Sequence, residues 1–171
     1  MIVIETQRLL LKKLENSDAI FIKKLVNDPD WIRFIGERNI HTEDDARAYL
    51  EKGPLKSYAL NGFGLYKVST RVQNIAVGIC GLIKRDELDD VDIGYALLRD
   101  FRGKGYAIEA ARAVLKFGHQ KLGLRRIVAI TTADNERSGR LLAKAGLHFE
   151  KMIKLNDDQT ENKLFAIEFG S

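Results

Sequence analysis

Residues 98–107 read Leu98-Arg99-Asp100-Phe101-Arg102-Gly103-Lys104-Gly105-Tyr106-Ala107. Two glycines one residue apart let a backbone turn sharply and come close to a ligand. An apolar pattern of helical spacing follows, so the loop must open a helix. The first N–H groups of a helix have no intrahelical partner, and the helix dipole adds positive character there. With Arg102 and Lys104 beside them, these groups suit a phosphate or pyrophosphate.

Spacing narrows the use of the loop. A P-loop needs Ser or Thr after Gly-Lys, but Gly105 follows Gly103-Lys104. A dinucleotide-binding turn needs a third glycine, and position 108 is Ile. The pattern that remains is Gln/Arg-x-x-Gly-x-Gly/Ala, met by Arg102, Gly105 and Ala107. Downstream, Asn135 suits a helix N-cap, and Ser138 falls three residues later on the same helical face. His41, His119 and His148 show neither metal-ligand spacing nor a nucleophile pair. Cys80 is the single cysteine, within an apolar run, and reads as a buried structural thiol. The acidic runs 86–92 and 157–161 read as solvated turns; a second reading has them draw a cationic amine toward the site.

These residues need elements to hold them. Residues 8–14 read as a first strand. Asn16-Ser17-Asp18 caps a helix that Asn27-Asp28-Pro29 stops. Thr42 with Asp45 opens a second helix, which Gly53-Pro54 ends. Residues 63–69, 75–83 and 91–98 read as strands. The glycine loop then leads into an amphipathic helix closed by Gly123. A strand over 127–132, a helix ended by Gly146, and strands over 148–155 and 163–169 complete the order. The expected fold is α/β (α+β): a mixed, mostly antiparallel central sheet of six to seven strands flanked by about four helices.

At 171 residues without an internal linker, the chain reads as one domain over 1–171. The net charge of +4 comes from mixed signs, which does not favour a nucleic-acid partner. One cysteine excludes an internal disulfide or a cysteine-based metal cluster. The segment 1–11 carries Glu5 and Arg8 among short apolar runs, unlike a signal peptide. No apolar stretch nears the roughly 20 residues that cross a bilayer. The expectation is a cytoplasmic protein with no membrane and no nucleic-acid partner.

The loop resembles the acetyl-CoA loop of the GCN5-related N-acetyltransferase (GNAT) superfamily. Further segments resemble its ribosomal-protein-alanine N-acetyltransferase-like (RimJ/RimL-like) branch. Asp92-Ile93-Gly94-Tyr95-Ala96-Leu97 is similar to the pantetheine-binding strand. Asn135-Glu136-Arg137-Ser138 with Leu141-Leu142-Ala143-Lys144-Ala145-Gly146 is similar to the second CoA-contacting helix, and Thr6-Gln7-Arg8-Leu9-Leu10-Leu11 to the opening strand. The matches run in order from about Thr6 to Glu150. Departures are Ile108 for a frequent Thr, Leu147 for Phe, Arg99-Asp100 for a Pro-containing turn, and Lys12-Lys13 for Arg-Pro.

The resemblance implies an acetyl-CoA-dependent N-acetyltransferase without a metal, acting on a primary amine by direct attack in a ternary complex. The alternative is a non-catalytic acyl-CoA-binding or sensing module. It implies acetyl-CoA binding by Leu97, Leu98, Arg99, Arg102, Gly103, Lys104, Gly105, Tyr106 and Ala107, with Asn135 orienting pantetheine. Ser138 is implied as proton donor to the CoA thiolate, and Asp157 or Glu150 as the base. Trp31 is implied to line the acceptor pocket. The assembly would be a monomer or a homodimer.

Overall fold

The computed structural model describes residues 1–155 and 160–170. Among them, eight strands form one sheet: β1 (Ile2–Glu5), β2 (Leu9–Lys13), β3 (Leu65–Thr70), β4 (Ala76–Ile83), β5 (Asp92–Leu97), β6 (Arg126–Thr132), β7 (His148–Lys154) and β8 (Glu161–Glu168). Their order is β1-β2-β3-β4-β5-β6-β8-β7. Every neighbouring pair is antiparallel except β5 and β6. The mixed, mostly antiparallel sheet follows the expectation, with one strand more than its upper bound. The run 2–5 is too short to declare itself by alternation, and it becomes a strand by pairing with β2.

Six α-helices are described, two more than the approximate four expected: α1 (Ala19–Val26), α2 (Pro29–Phe34), α3 (Glu43–Leu50), α4 (Lys56–Asn61), α5 (Tyr106–Gln120) and α6 (Glu136–Lys144). Both prolines explain the difference. Pro29 does not only stop α1; it starts α2 at its first turn, where its missing N–H costs nothing. The Asp28 carboxylate caps α2 by accepting from the Asp30 N–H at 2.9 Å. Pro54 does not end α3 either. The helix widens into a π turn over Glu51–Leu55 and continues as α4, because the wider turn accommodates the proline ring and its lost hydrogen bond.

Helices cover the two faces of the sheet. On one face, Ala110, Ala111, Val114 and Leu115 of α5 and Leu142 of α6 are buried with Leu82, Ile93, Leu97 and Ile127 of the strands. On the other face, Ile22, Leu25 and Val26 of α1, Trp31 of α2 and Leu50 of α3 pack with Ile79 and Leu98. Strand β5 serves both faces by its period of two. Ile93, Tyr95 and Leu97 turn to the α5 face, and Ala96 turns to the α1–α3 face.

Candidate active site

The parallel pair β5–β6 is the only one in the described sheet, and it is barely paired. Asp92 opposite Val128 is its single register position. Beyond that point β5 stays bonded to β4 as far as Leu97, and β6 to β8 as far as Thr132. The two strands therefore part toward their C-terminal ends, where α5 and α6 begin. Ligands in open α/β sheets collect in such a crevice. A cleft of about 950 Å³ opens there, lined by Leu97, Gly105 and Ala107 on one wall and Thr131, Asn135 and Ser138 on another. The Thr131 hydroxyl is buried without a hydrogen-bond partner among the described residues. A buried polar group left so is costly, unless a ligand satisfies it.

Gly103 and Gly105 both have positive φ, +76° and +81°, a region that side chains with a Cβ avoid. Helix α5 makes its first backbone bond from the Glu109 N–H to the Gly105 carbonyl. The N–H groups of Tyr106, Ala107 and Ile108 thus have no intrahelical acceptor, as an anion site requires.

Two clamps hold the loop in this shape. In one, Arg8 donates through Nε to Glu109 Oε1 at 2.7 Å and through Nη1 to the Lys104 carbonyl at 2.8 Å. Its guanidinium also lies 4.7 Å from the Tyr106 ring centre. Thr6 and the Arg8 N–H bond the other Glu109 oxygen. Burial would raise the Glu109 carboxyl, but these bonds outweigh it and hold the group below its usual range. In the second clamp, Arg102 donates to Asp28 Oδ1 at 2.9 Å, to Asp30 Oδ2 at 2.8 Å and to the Leu97 carbonyl at 2.8 Å. Burial raises Asp28 as well, and the Arg102 and Asp30 N–H hydrogen bonds, with the charges of Arg102 and Arg99, together reverse that. This clamp ties the loop to the start of α2, which carries Trp31.

Below the crevice, the Tyr95 hydroxyl lies 2.5 Å from Ser138 Oγ. Burial pushes the Tyr95 phenol up to about 12, against the pull of the Ser138 hydrogen bond. On the opposite face of β5, Asp92 is 2 % exposed and 3.0 Å from Arg85 Nε. Burial dominates there, and raises its carboxyl to about 6 despite the guanidinium. A carboxylate poised so close to neutrality is suited to taking a proton.

A family model described as "Acetyltransferase (GNAT) domain" matches residues 8–148. The chain belongs to the acetyltransferase (GNAT) domain family. It is 27% identical to the uncharacterized N-acetyltransferase YnaD of Bacillus subtilis, over 96% of this chain and 95% of that one. An acetyltransferase (GNAT family) structure from Bacillus anthracis shares 29% identity and a TM-score of 0.80, covering 98% of both chains. The ribosomal-protein-S5-alanine acetyltransferase of Vibrio fischeri has the same fold, with a TM-score of 0.79 at 20% identity, over 96% of this chain and 94% of that one. The protein is an N-acetyltransferase of this family, and the family's donor, acetyl-CoA, has a crevice, a phosphate loop and an orphaned hydroxyl that fit it.

As a GNAT domain, the chain places its sequence-derived site residues unevenly. Leu97, Arg102, Gly103, Gly105, Tyr106, Ala107, Asn135 and Ser138 all line the cleft. Leu98 is internal: its N–H donates to the Val77 carbonyl and its own carbonyl accepts from Phe101. The Arg99 carbonyl is likewise taken by the Arg102 N–H. Lys104 sets its ammonium over the Phe101 ring, and its carbonyl serves Arg8. Arg102 adds no open positive charge, because two carboxylates neutralise it; Arg137, from α6, also lines the cleft and was passed over by sequence reasoning, but it too is bound to Asp30, at 3.2 Å. Asn135 caps α6, its Oδ1 accepting from the Ser138 N–H at 3.2 Å.

The base candidates fare differently. Glu150 is bound to Arg126 at 2.6 Å, does not line the cleft, and is held below its usual range by that hydrogen bond. A carboxylate in that setting is a weak base, and the geometry does not bring it to the site. Asp157 lies outside the described residues. Asp92, which the motif marked only as strand, does line the cleft, and burial raises its carboxyl. Trp31 both lines the cleft and belongs to the second core cluster. Cys80 is buried and its thiol is raised by burial, as a structural thiol would be.

Proposed function

We propose that the chain transfers the acetyl group of acetyl-CoA to a primary amine by direct attack in a ternary complex. The observation that carries this reading is the division of labour on β5. Asp92 falls on the face toward α1–α4, and Tyr95 meets Ser138 on the face toward α5 and α6. The acetyl donor enters through the crevice that the α5 loop guards. The amine approaches from the other face.

Most amines are protonated at neutral pH, with reference pKa values of about 8 for an α-amine and about 10 for a side-chain amine. Asp92 takes the surplus proton, directly or through one water. The amine nitrogen then attacks the thioester carbonyl carbon, forming the C–N bond. A backbone N–H on the open edge of β5 holds the developing oxyanion. As the C–S bond breaks, the Tyr95–Ser138 hydroxyl pair donates a proton to the departing thiolate, and the second proton shed by the attacking nitrogen restores the pair as the amide forms. The pyrophosphate rests on the α5 N-terminus, while Thr131 and Asn135 offer hydrogen bonds to pantetheine.

Thiol release from acetyl-CoA across a panel of amines tests the reading. Transfer gives one CoA thiol per acetylated amine. A chain that binds acetyl-CoA with no thiol released across the panel is a binding module, and the proposal falls.

A further inference from the structure

The acceptor end of the cleft has its own chemistry. Its walls are apolar, from Trp31, Phe34 and Ile35 to Tyr49 and Ile83. Its charged lining is uneven: Arg38, Lys52, Lys56, Lys84 and Arg85 face only Asp86 and Asp92. Two further cleft carboxylates, Asp28 and Asp30, are already spent on Arg102. Asp92 itself is matched by Arg85. The acidic run 86–92 therefore offers little to a cation, since Asp90 is also bound to Arg126 at 2.9 Å. A polycationic acceptor would meet net repulsion here.

Arg38 is the cation with a built setting. It is exposed at the cleft, and no carboxylate of the described residues lies within ion-pair distance of it. Burial raises the Tyr49 phenol, while the charges of Arg38 and Arg85 pull it back, so the three groups share one corner. Arg38 bonds the Tyr49 phenol oxygen and has no carboxylate partner among the described residues, so its remaining guanidinium donors stay open to the cleft. A single anionic group, planar and able to take the guanidinium fork, satisfies them.

We infer that the acceptor is a primary amine with an apolar body and one carboxylate, the carboxylate held at Arg38 and the amine presented to Asp92. This rests on the acetyl-transfer reading above. The guanidinium fork takes a carboxylate or a phosphonate, so the panel below separates the two.

The test is thiol release by the full chain with four acceptors: leucine, leucinamide, the aminophosphonate analogue of leucine, and spermidine. Leucine is expected to exceed leucinamide by about tenfold or more in kcat/KM, because the amide leaves the donors unmatched. Arg38→Gln is expected to remove that preference through KM, with leucinamide turnover and acetyl-CoA affinity unchanged. Arg38→Lys should restore part of it. Leucinamide or spermidine equal to leucine overturns the inference, as does the aminophosphonate leading the panel. An unchanged leucine KM in Arg38→Gln also overturns it. If acetyl-CoA binds and no acceptor releases thiol, the transfer reading has failed instead.

Discussion

The donor end of the cleft presents mainly backbone, and the acceptor end presents side chains. At the donor end, the N–H groups of Tyr106, Ala107 and Ile108 face outward from a loop bent at two glycines. Side chains there work chiefly as props: Arg8, Glu109 and Arg102 all bond to the protein itself. At the acceptor end, the groups that could tell one amine from another are Trp31, Arg38, Tyr49 and Asp92, drawn from four separate segments. A backbone site demands a short, local pattern of residues and fixes one ligand. A side-chain site can change its ligand by single substitutions, and it leaves no local pattern. Membership of the GNAT family thus determines the donor end more tightly than the acceptor end.

The largest expected effect breaks the link between the ends. Asp92→Asn should lower kcat by about 10²- to 10⁴-fold, the usual worth of a general base, with acetyl-CoA affinity intact. In the parent protein, kcat/KM should fall as pH drops through about 6, where Asp92 gains its proton; the Asp92→Asn variant should lose that limb. The same substitution reads out in stability. Because the folded-state pKa is raised, Asp92 contributes stability below about pH 4 that is lost as pH rises through about 6. The drop in melting temperature between pH 4 and pH 7 should therefore shrink in Asp92→Asn. A pH profile unchanged by the substitution would remove Asp92 from the mechanism.

Next comes the hydroxyl pair. Tyr95→Phe and Ser138→Ala should each slow turnover by about 10- to 100-fold, and the double variant little more than the worse single one, as for groups that act as a unit. Multiplying effects would mean that the hydroxyls act separately.

The donor end should respond through binding. Gly105→Ala forces an unfavourable left-handed conformation worth about 1–2 kcal/mol and sets its Cβ 3.1 Å from Arg8 Nη2. Acetyl-CoA affinity, read by calorimetry, should fall about tenfold. Arg8→Ala should weaken the same affinity by a smaller factor of about three to five, since an exposed ion pair contributes only a fraction of a kcal/mol to about 1 kcal/mol. Neither change should alter the ranking of acceptors. An altered ranking would show that the ends are not independent, with the Arg102 bridge to Asp28 and Asp30 as the physical link.

The chain's sequence makes the glycine loop legible. Gly103, Gly105 and Ala107 stand next to the helix they open, and the chemistry they permit is written in their spacing. It also determined the mixed sheet with helices between its strands, because apolar periodicity is local. Tertiary structure decided what depends on separation. Only folding shows that Arg102, so apt for a phosphate, is consumed by two carboxylates more than 70 residues away. Only folding brings Tyr95 to Ser138 across 43 residues. Glu150 and Asp92 are both single carboxylates in strand patterns, indistinguishable as letters. Burial raises one to about 6, and an exposed ion pair with Arg126 lowers the other. The strength of a base is set by solvent and neighbours, which a sequence specifies only through the fold.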